Sequence, residues 1–179
     1  NLGKVYKIKC YEIPEGSRTS KGINVANLIP ISGDERVTSM IKVPEFEDGK
    51  YLDMVTKFGI IKRTELNAFS TTRKGGIVAL VLDDGDELSW VRLTGGNDEL
   101  IVATKKGKAI RFHETDVRCM SRKARGVFAM RLDEGDIVTG MIVVDKESKV
   151  LTISETGYGR LSDVEDYRLQ SRGGRGVTN

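Results

Sequence analysis

The chain has 179 residues, of which 39% are hydrophobic and 31% charged, and its formal net charge is +3. This length can bury a core without disulfides or metal ions, and the composition excludes disordered and fibrous proteins. No apolar run approaches the ~20 residues that cross a bilayer, and the N-terminus lacks the apolar stretch of a signal peptide. We therefore expect a soluble, cytoplasmic protein without a membrane partner.

Four similar segments follow one another along the chain. Each begins and ends with a glycine, and they cover residues 3–22, 59–76, 107–126 and 157–176. The opening glycines are Gly3, Gly59, Gly107 and Gly157, and the closing glycines are Gly22, Gly76, Gly126 and Gly176. A recurrence at about fifty residues indicates a repeat architecture.

The same predicted elements recur in each repeat. An apolar run such as YLDMVTKFG ends at the opening glycine, which predicts a hairpin turn with a positive φ. After the closing glycine come an apolar run (GINVANLI, GIVALVL, GVFAMRL), an acidic turn, and a second apolar run (VTSMIKV, LSWVRL, VTGMIVV). These short runs predict about four strands per repeat. Brief helical turns are expected near residues 65–69, 114–120 and 163–169. A long helix is not expected anywhere in the chain.

Repeats of this size with four strands are typical of a propeller-like array, in which each small sheet covers its neighbour. A tandem of sandwich domains is the alternative, but it needs cores of about fifty residues that are marginal alone. The predicted repeats are 1–50, 51–98, 99–148 and a partial 149–179. We expect an all-β, incomplete propeller-like array of about three and a half blades that extends in both directions. Its exposed sheet edges favour edge-to-edge self-association.

Catalytic and metal-binding patterns are sparse. The single histidine, His113, accompanies no recognisable nucleophile motif, and the two cysteines lack metal-ligand spacing. The acidic run LDDGDEL lacks the ligand pattern of a calcium loop. We predict no catalytic residue, metal site or cofactor. An enzyme that uses Asp84 and Asp86 as acid and base is a distant alternative.

Positive charge concentrates in one phase of the repeat. The four glycine-bounded segments carry +3, +3, +4 and +1, together +11, whereas the rest of the chain carries −8. Because one phase of a repeat lies on one side of an array, we expect a basic stripe that suits the phosphates of duplex DNA. The predicted phosphate contacts are Arg18, Lys21, Arg73, Lys74, Arg122, Lys123, Arg125, Arg172 and Arg175. The positive electrostatic field of this stripe is expected to be increased by Lys62, Arg63, Lys108 and Arg111.

Sequence pieces along the whole chain resemble the C-terminal domain of the DNA gyrase A subunit, which belongs to the type IIA topoisomerases of bacteria. They include KVYKIKCYEIPEGSRTSKG, GIIKRTELNAF, DGDELSWVRLTGG, VRCMSRKARGV and GYGRLSDVEDYRLQSRGGRGV. The related subunit of topoisomerase IV is the alternative within the class. The resemblance implies a β-pinwheel whose adjacent blades exchange strands and whose basic edge binds and bends DNA without sequence specificity.

The same resemblance implies a place in a larger enzyme. Wrapping would support ATP-dependent negative supercoiling, in the cytoplasm at the nucleoid, by an enzyme that also contains the remainder of the gyrase A subunit and the gyrase B subunit. The domain itself would be non-catalytic, and ATP and Mg would belong to the holoenzyme only. A protein-interaction propeller is the alternative from another functional class.

The resemblance also singles out a basic heptapeptide, QRRGGKG, in the first blade of the family. The nearest match here is QSRGGRG, comprising Gln170, Ser171, Arg172, Gly173, Gly174, Arg175 and Gly176. Its place in the fourth repeat indicates a later blade's copy, so the first-blade motif is expected upstream of Asn1. We accordingly expect duplex binding weaker than that of a domain with the first-blade motif.

Overall fold

The computed structural model describes residues 1–71, 73 and 75–179. These residues form twelve strands and five short 3-10 helices, with no α-helix among them. The strands are β1 (Lys4–Val5), β2 (Tyr51–Thr56), β3 (Ile60–Glu65), β4 (Ile77–Val78), β5 (Leu88–Thr94), β6 (Glu99–Thr104), β7 (Lys108–His113), β8 (Val127–Phe128), β9 (Val138–Val143), β10 (Lys149–Ile153), β11 (Gly159–Asp163) and β12 (Val177–Thr178). The 3-10 helices are Cys10–Glu12, Val25–Asn27, Leu66–Phe69, Glu114–Asp116 and Val164–Asp166. Within these ranges, no helix has the length and hydrophobicity needed to cross a membrane.

The strands form two four-stranded antiparallel sheets, in the orders β5-β2-β3-β8 and β9-β6-β7-β12, and two pairs, β1-β4 and β10-β11. Each four-stranded sheet contains a register shift at the same repeat position, between Val55 and Thr56 in one and between Ala103 and Thr104 in the other. The sheets form an open array. This confirms the expected all-β, propeller-like fold.

Each complete sheet takes its last strand from the following repeat. β8, which follows Gly126, pairs with β3 of the second repeat, and β12, which follows Gly176, pairs with β7 of the third. In the same way, β4, which follows Gly76 in the second repeat, pairs with β1 of the first repeat. The strand exchange that the resemblance implied is therefore present at three successive junctions.

The hairpin turns are built alike. Gly59 and Gly107 have φ of 83° and 74°, which the missing side chain permits, and their N–H groups donate to Thr56 O and Thr104 O at 3.1 Å. The hydroxyl oxygens of the two threonines accept from the N–H of the first residue of the next strand, Ile60 or Lys108. The turn geometry is thus fixed by a glycine and a hydroxyl residue in both repeats.

Three apolar cores lie at the three junctions between repeats. Strand alternation sends Leu52 and Met54 toward the first repeat and Val55 toward the third, where it joins a core shared by both four-stranded sheets. The third core, with Ile101 and Tyr167, lies between β6 and the β10-β11 hairpin. Burial between neighbouring sheets, and not within one repeat, therefore stabilises the array.

Two sequence expectations about strands were wrong. The run at 22–29 forms a 3-10 helix over Val25–Asn27, and the run at 37–43 forms no strand. In the second and third repeats the corresponding strands, β5 and β9, pair with the first strand of a hairpin. Among the described residues, no strand pairs with the run at 37–43 in this way.

Candidate nucleic-acid interface

The candidate interface is formed by the closing loops, which we define as residues 17–22, 70–76, 121–126 and 171–176. Two equivalent bonds anchor the chain just before the last two loops, since Met120 N donates to Arg63 O at 2.9 Å and Gln170 N donates to Arg111 O at 3.0 Å. Further on, the loops accept through Ala124 O from Val81 N and through Gly174 O from Arg131 N. These two loops are therefore attached at equivalent places to the repeats that precede them.

The last two closing glycines are required by close packing. Gly126 has φ of 108°, and a Cβ atom there would lie 2.6 Å from Ile61 O of the preceding repeat. A Cβ on Gly176, where φ is 72°, would collide with Ala109 O at the equivalent position. Only glycine lets the chain pass this close to the neighbouring strand before it joins that sheet.

The predicted phosphate contacts differ in exposure. The side chains of six are exposed: Arg18, Lys21, Arg73, Lys123, Arg125 and Arg175. Arg122, Arg172 and Lys108 are half-buried. Lys74 lies outside the described residues.

One exposed cation already has an anionic partner in the neighbouring repeat. Arg125 Nε donates to Asp83 Oδ1 at 2.6 Å, and Arg125 Nη2 donates to the second carboxylate oxygen. These bonds hold the pKa of Asp83 below its ordinary value. A phosphate that binds Arg125 must therefore compete with this carboxylate.

The heptapeptide-like segment mostly anchors its own loop. Arg172 donates from Nε to Asp116 O at 2.8 Å and from Nη1 to Phe128 O at 3.1 Å. Gly173 N donates to Ala129 O at 2.6 Å. The loop is consequently fixed on the third repeat, and Arg175 is its exposed cation.

Arg63 and Arg111 do not belong to an exposed basic surface, contrary to the sequence expectation. Both lie four residues after an opening glycine and are only 7% and 4% exposed. Arg63 Nε forms an ion pair with Glu114 Oε2 at 3.2 Å, but the angle does not allow a hydrogen bond. The Arg63 guanidinium stacks on Tyr51, 3.9 Å from the ring centroid. Burial removes these guanidinium groups from direct contact with DNA.

Arg111 spans the next junction in the same way. Its Nε donates to Glu99 Oε2 at 2.6 Å, and its Nη1 donates to Val164 O and Tyr167 O in the fourth repeat. Lys7, at the equivalent position of the first repeat, donates to Ser70 O of the second. A cation at this position thus connects one repeat to the next at all three junctions.

Lys62 is also buried. Its side chain is 0% exposed, and Nζ donates to Ala79 O and to Arg122 O, each at 2.5 Å. Burial lowers the pKa of Lys62 to about 8, with the Arg122 charge adding to the effect. Lys62 therefore contacts the third closing loop from beneath and does not face solvent.

A buried carboxyl pair lies beside Arg63. The hydroxyl of Thr94 is 2.8 Å from both Asp53 Oδ2 and Glu114 Oε2. The single hydroxyl proton of Thr94 can be donated to only one of these two oxygens. Burial raises the pKa of Asp53 to about 7, and the Glu114 charge adds to the rise. Burial therefore favours the protonated form of Asp53 in this pair.

The acidic turns have a structural role. Asp86 Oδ1 accepts from Phe58 N at 3.0 Å and from Glu87 N at 2.9 Å, and Asp136 repeats the arrangement with Lys106 N and Ile137 N. Asp86 therefore caps the adjacent hairpin turn. Across the described ranges, no group of three or more His, Cys, Asp or Glu side chains is arranged to hold a metal ion.

Comparison with known proteins gives consistent results. The family described as DNA gyrase C-terminal domain, beta-propeller, matches residues 1–44, 51–94, 98–145 and 148–179. The DNA gyrase A subunit of Haloquadratum walsbyi is 42% identical over 181 residues, which cover 98% of this chain and 21% of that protein. The chain spans about a fifth of the length of the curated relatives it matches.

Two solved structures share the fold over nearly the whole chain. The C-terminal domain of DNA topoisomerase IV superimposes with a TM-score of 0.91 and 29% identity, covering 99% of this chain and 56% of that one. The DNA gyrase A C-terminal domain gives a TM-score of 0.84 and 30% identity, covering 99% and 57%. The repeats, the strand exchange and these matches agree: the chain belongs to the DNA gyrase C-terminal domain family.

Proposed function

We propose that this chain binds duplex DNA without sequence specificity and bends it along the closing loops. One observation carries the proposal: the closing loops together present six exposed cations, Arg18, Lys21, Arg73, Lys123, Arg125 and Arg175. Because two of these loops are anchored at equivalent places, their cations recur at the period of the array. A recurring row of cations suits the regular phosphates of a duplex, and base edges need not be read.

The proposal changes the set of contacts expected from the sequence. Lys62, Arg63 and Arg111 are left out because their side chains are buried and bonded within the protein. Arg122, Arg172 and Lys108 remain as partly exposed contributors, and Lys74 remains a proposed contact.

In the larger enzyme, the chain would act as a non-catalytic arm of the gyrase A subunit. By bending a duplex it would support ATP-dependent negative supercoiling in the cytoplasm, together with the remainder of that subunit and the gyrase B subunit. Bending 20 to 30 base pairs through 40 to 90° costs about 1 to 6 kcal/mol, so several loop contacts must act together. ATP, Mg and the catalytic groups would belong to the rest of the enzyme.

Duplex binding measured at several salt concentrations tests the proposal. Six phosphate contacts predict a slope of roughly −5 for the logarithm of affinity against the logarithm of salt concentration. Changing Arg122, Lys123 and Arg125 together to Glu removes two of these six contacts, so it should weaken binding and flatten the slope to roughly −4. An affinity that does not change with salt concentration would refute the proposal and favour a protein-interaction propeller. Binding by the triple variant as tight as that of the unaltered chain would do the same.

A further inference from the structure

The third closing loop rests on a buried ammonium group. Nζ of Lys62, in β3, lies 2.5 Å from the carbonyl oxygen of Arg122 and 2.5 Å from that of Ala79. The Arg122 oxygen belongs to the loop, whereas Ala79 follows the exchanged strand β4. A single side chain therefore joins two backbone segments that come from different repeats.

The equivalent position is occupied differently at the next junction. Ile110, like Lys62, lies three residues after an opening glycine, and a Cβ on Gly174 of the fourth loop would be 3.5 Å from its Cδ1 atom. An apolar residue supports that loop by packing alone, and Arg172 supplies bonds to Asp116 O and Phe128 O. In the third loop the carbonyl of Arg122, homologous in position to Arg172, accepts from Lys62 instead.

Burying an ammonium group without compensation is costly, so its bonds must be retained for the chain to fold in this way. Charge-assisted bonds of this kind are about twice as strong as neutral ones. The carbonyl of Arg122 is consequently fixed, and with it the backbone from which Arg122, Lys123 and Arg125 extend.

We propose that Lys62 is a positioning residue, which fixes the third closing loop so that its cations are presented together to the DNA backbone. This inference rests on the function proposed above. Its structural part, the fixing of the loop, is testable without DNA.

The first experiment compares amide hydrogen exchange in Lys62→Met and in Ile110→Met, the matched control at the same repeat position. Loss of a charge-assisted bond should speed exchange of the Met120, Ala124 and Val81 amides, which all bond at this loop, by roughly 10- to 100-fold in Lys62→Met only. Unchanged exchange at these amides, or equal acceleration in the control, would overturn the proposal.

The second experiment uses the unaltered chain and decides the question even if Lys62→Met does not fold. A hydrogen-bonded Lys62 should give a slowly exchanging ¹⁵Nζ signal with scalar coupling to the carbonyl carbons of Arg122 and Ala79. Coupling to the Arg122 carbonyl supports the proposal. Its absence, with rapid exchange of the ammonium protons, would refute it.

The third experiment links Lys62 to DNA through a double-mutant cycle. Lys62→Met should weaken duplex binding by roughly three- to tenfold, but should have no effect when Arg122, Lys123 and Arg125 are already Glu. Equal losses in both backgrounds would refute the positioning role. If the Glu substitutions alone leave binding unchanged, the proposed DNA contact fails, whereas the exchange experiment still decides the structural part.

Discussion

Arg125 of the third repeat is held by Asp83 of the second, with its Nε atom 2.6 Å from Asp83 Oδ1. Both groups are on the surface, so the pair is screened by solvent and easily replaced. Because this carboxylate occupies the guanidinium that is proposed to bind phosphate, Asp83 would oppose the proposed DNA binding at this loop.

Asp83→Asn should therefore raise duplex affinity by roughly two- to fivefold in low salt. Asp133→Asn is the matched control, since Asp133 holds the same position in the following repeat and forms no ion pair seen among the described residues. Fluorescence anisotropy with a short duplex measures both variants. An equal gain in both would mean that net charge, and not release of Arg125, causes the change.

Arg63 and Lys123 should separate stability from DNA binding. Arg63→Met leaves Glu114, which is 0% exposed, without its cation, so we expect a loss of about 3 to 5 kcal/mol in the free energy of unfolding. Lys123→Met, on an exposed side chain, should change that free energy by less than about 0.5 kcal/mol but weaken DNA binding. Urea unfolding and duplex titration of both variants check this. Equal stability of the two variants would contradict the assigned role of Arg63.

Asp53 should make stability depend on pH. Its pKa of about 7 in the folded state exceeds its ordinary value of 3.8, so between these values the folded chain retains a proton that the unfolded chain loses. The shifted pKa of Asp53 therefore leaves the free energy of unfolding unchanged below about pH 4. Between about pH 4 and pH 7 it lowers that free energy progressively.

The groups that face Asp53 are Arg63, Thr94 and Glu114. Replacing Asp53 by Asn removes the proton equilibrium but keeps a partner for Thr94. The stability gain of Asp53→Asn over the unaltered chain should rise from near zero at pH 4 to on the order of 2 to 4 kcal/mol at pH 8. Unfolding curves across this range measure it. A difference that does not vary with pH would show that Asp53 is ionised throughout.

The closing glycines allow backbone strain to be separated from steric collision. Gly22 and Gly126 both have positive φ, 66° and 108°, but a Cβ on Gly22 meets nothing within 4 Å, whereas one on Gly126 meets Ile61 O at 2.6 Å. Gly22→Ala should cost about 1 to 2 kcal/mol, and Gly126→Ala about 3 kcal/mol or more. Thermal unfolding checks the order. A cost at Gly126 no larger than at Gly22 would mean that the exchanged strand shifts freely.

The repeats, hairpin glycines and 3-10 turns were predictable because each leaves a local signal. Glycine spacing reports the turns, and the helical turns at Leu66–Phe69, Glu114–Asp116 and Val164–Asp166 confirm the expectation. The strand exchange depends on contacts between repeats, which spacing does not reveal. It was anticipated only through the family resemblance.

The candidate interface was predicted less well, because a charge count treats every cation as exposed. Lys62, Arg63 and Arg111 lie inside the apolar strand runs GIIKRT and GKAIRF. That position was a signal of burial in a two-sided strand. Their partners, the Glu114 carboxylate and the carbonyls of Arg122 and Val164, lie more than 50 residues away in sequence, so only the folded structure identifies them.

Because β8 and β12 complete the sheets of the preceding repeats, neighbouring repeats are joined by shared sheets and cannot separate as independent units. Tension applied to one closing loop would pass through its exchanged strand into two neighbouring sheets. The elastic force that bent DNA would exert on the closing loops would accordingly be distributed over several repeats.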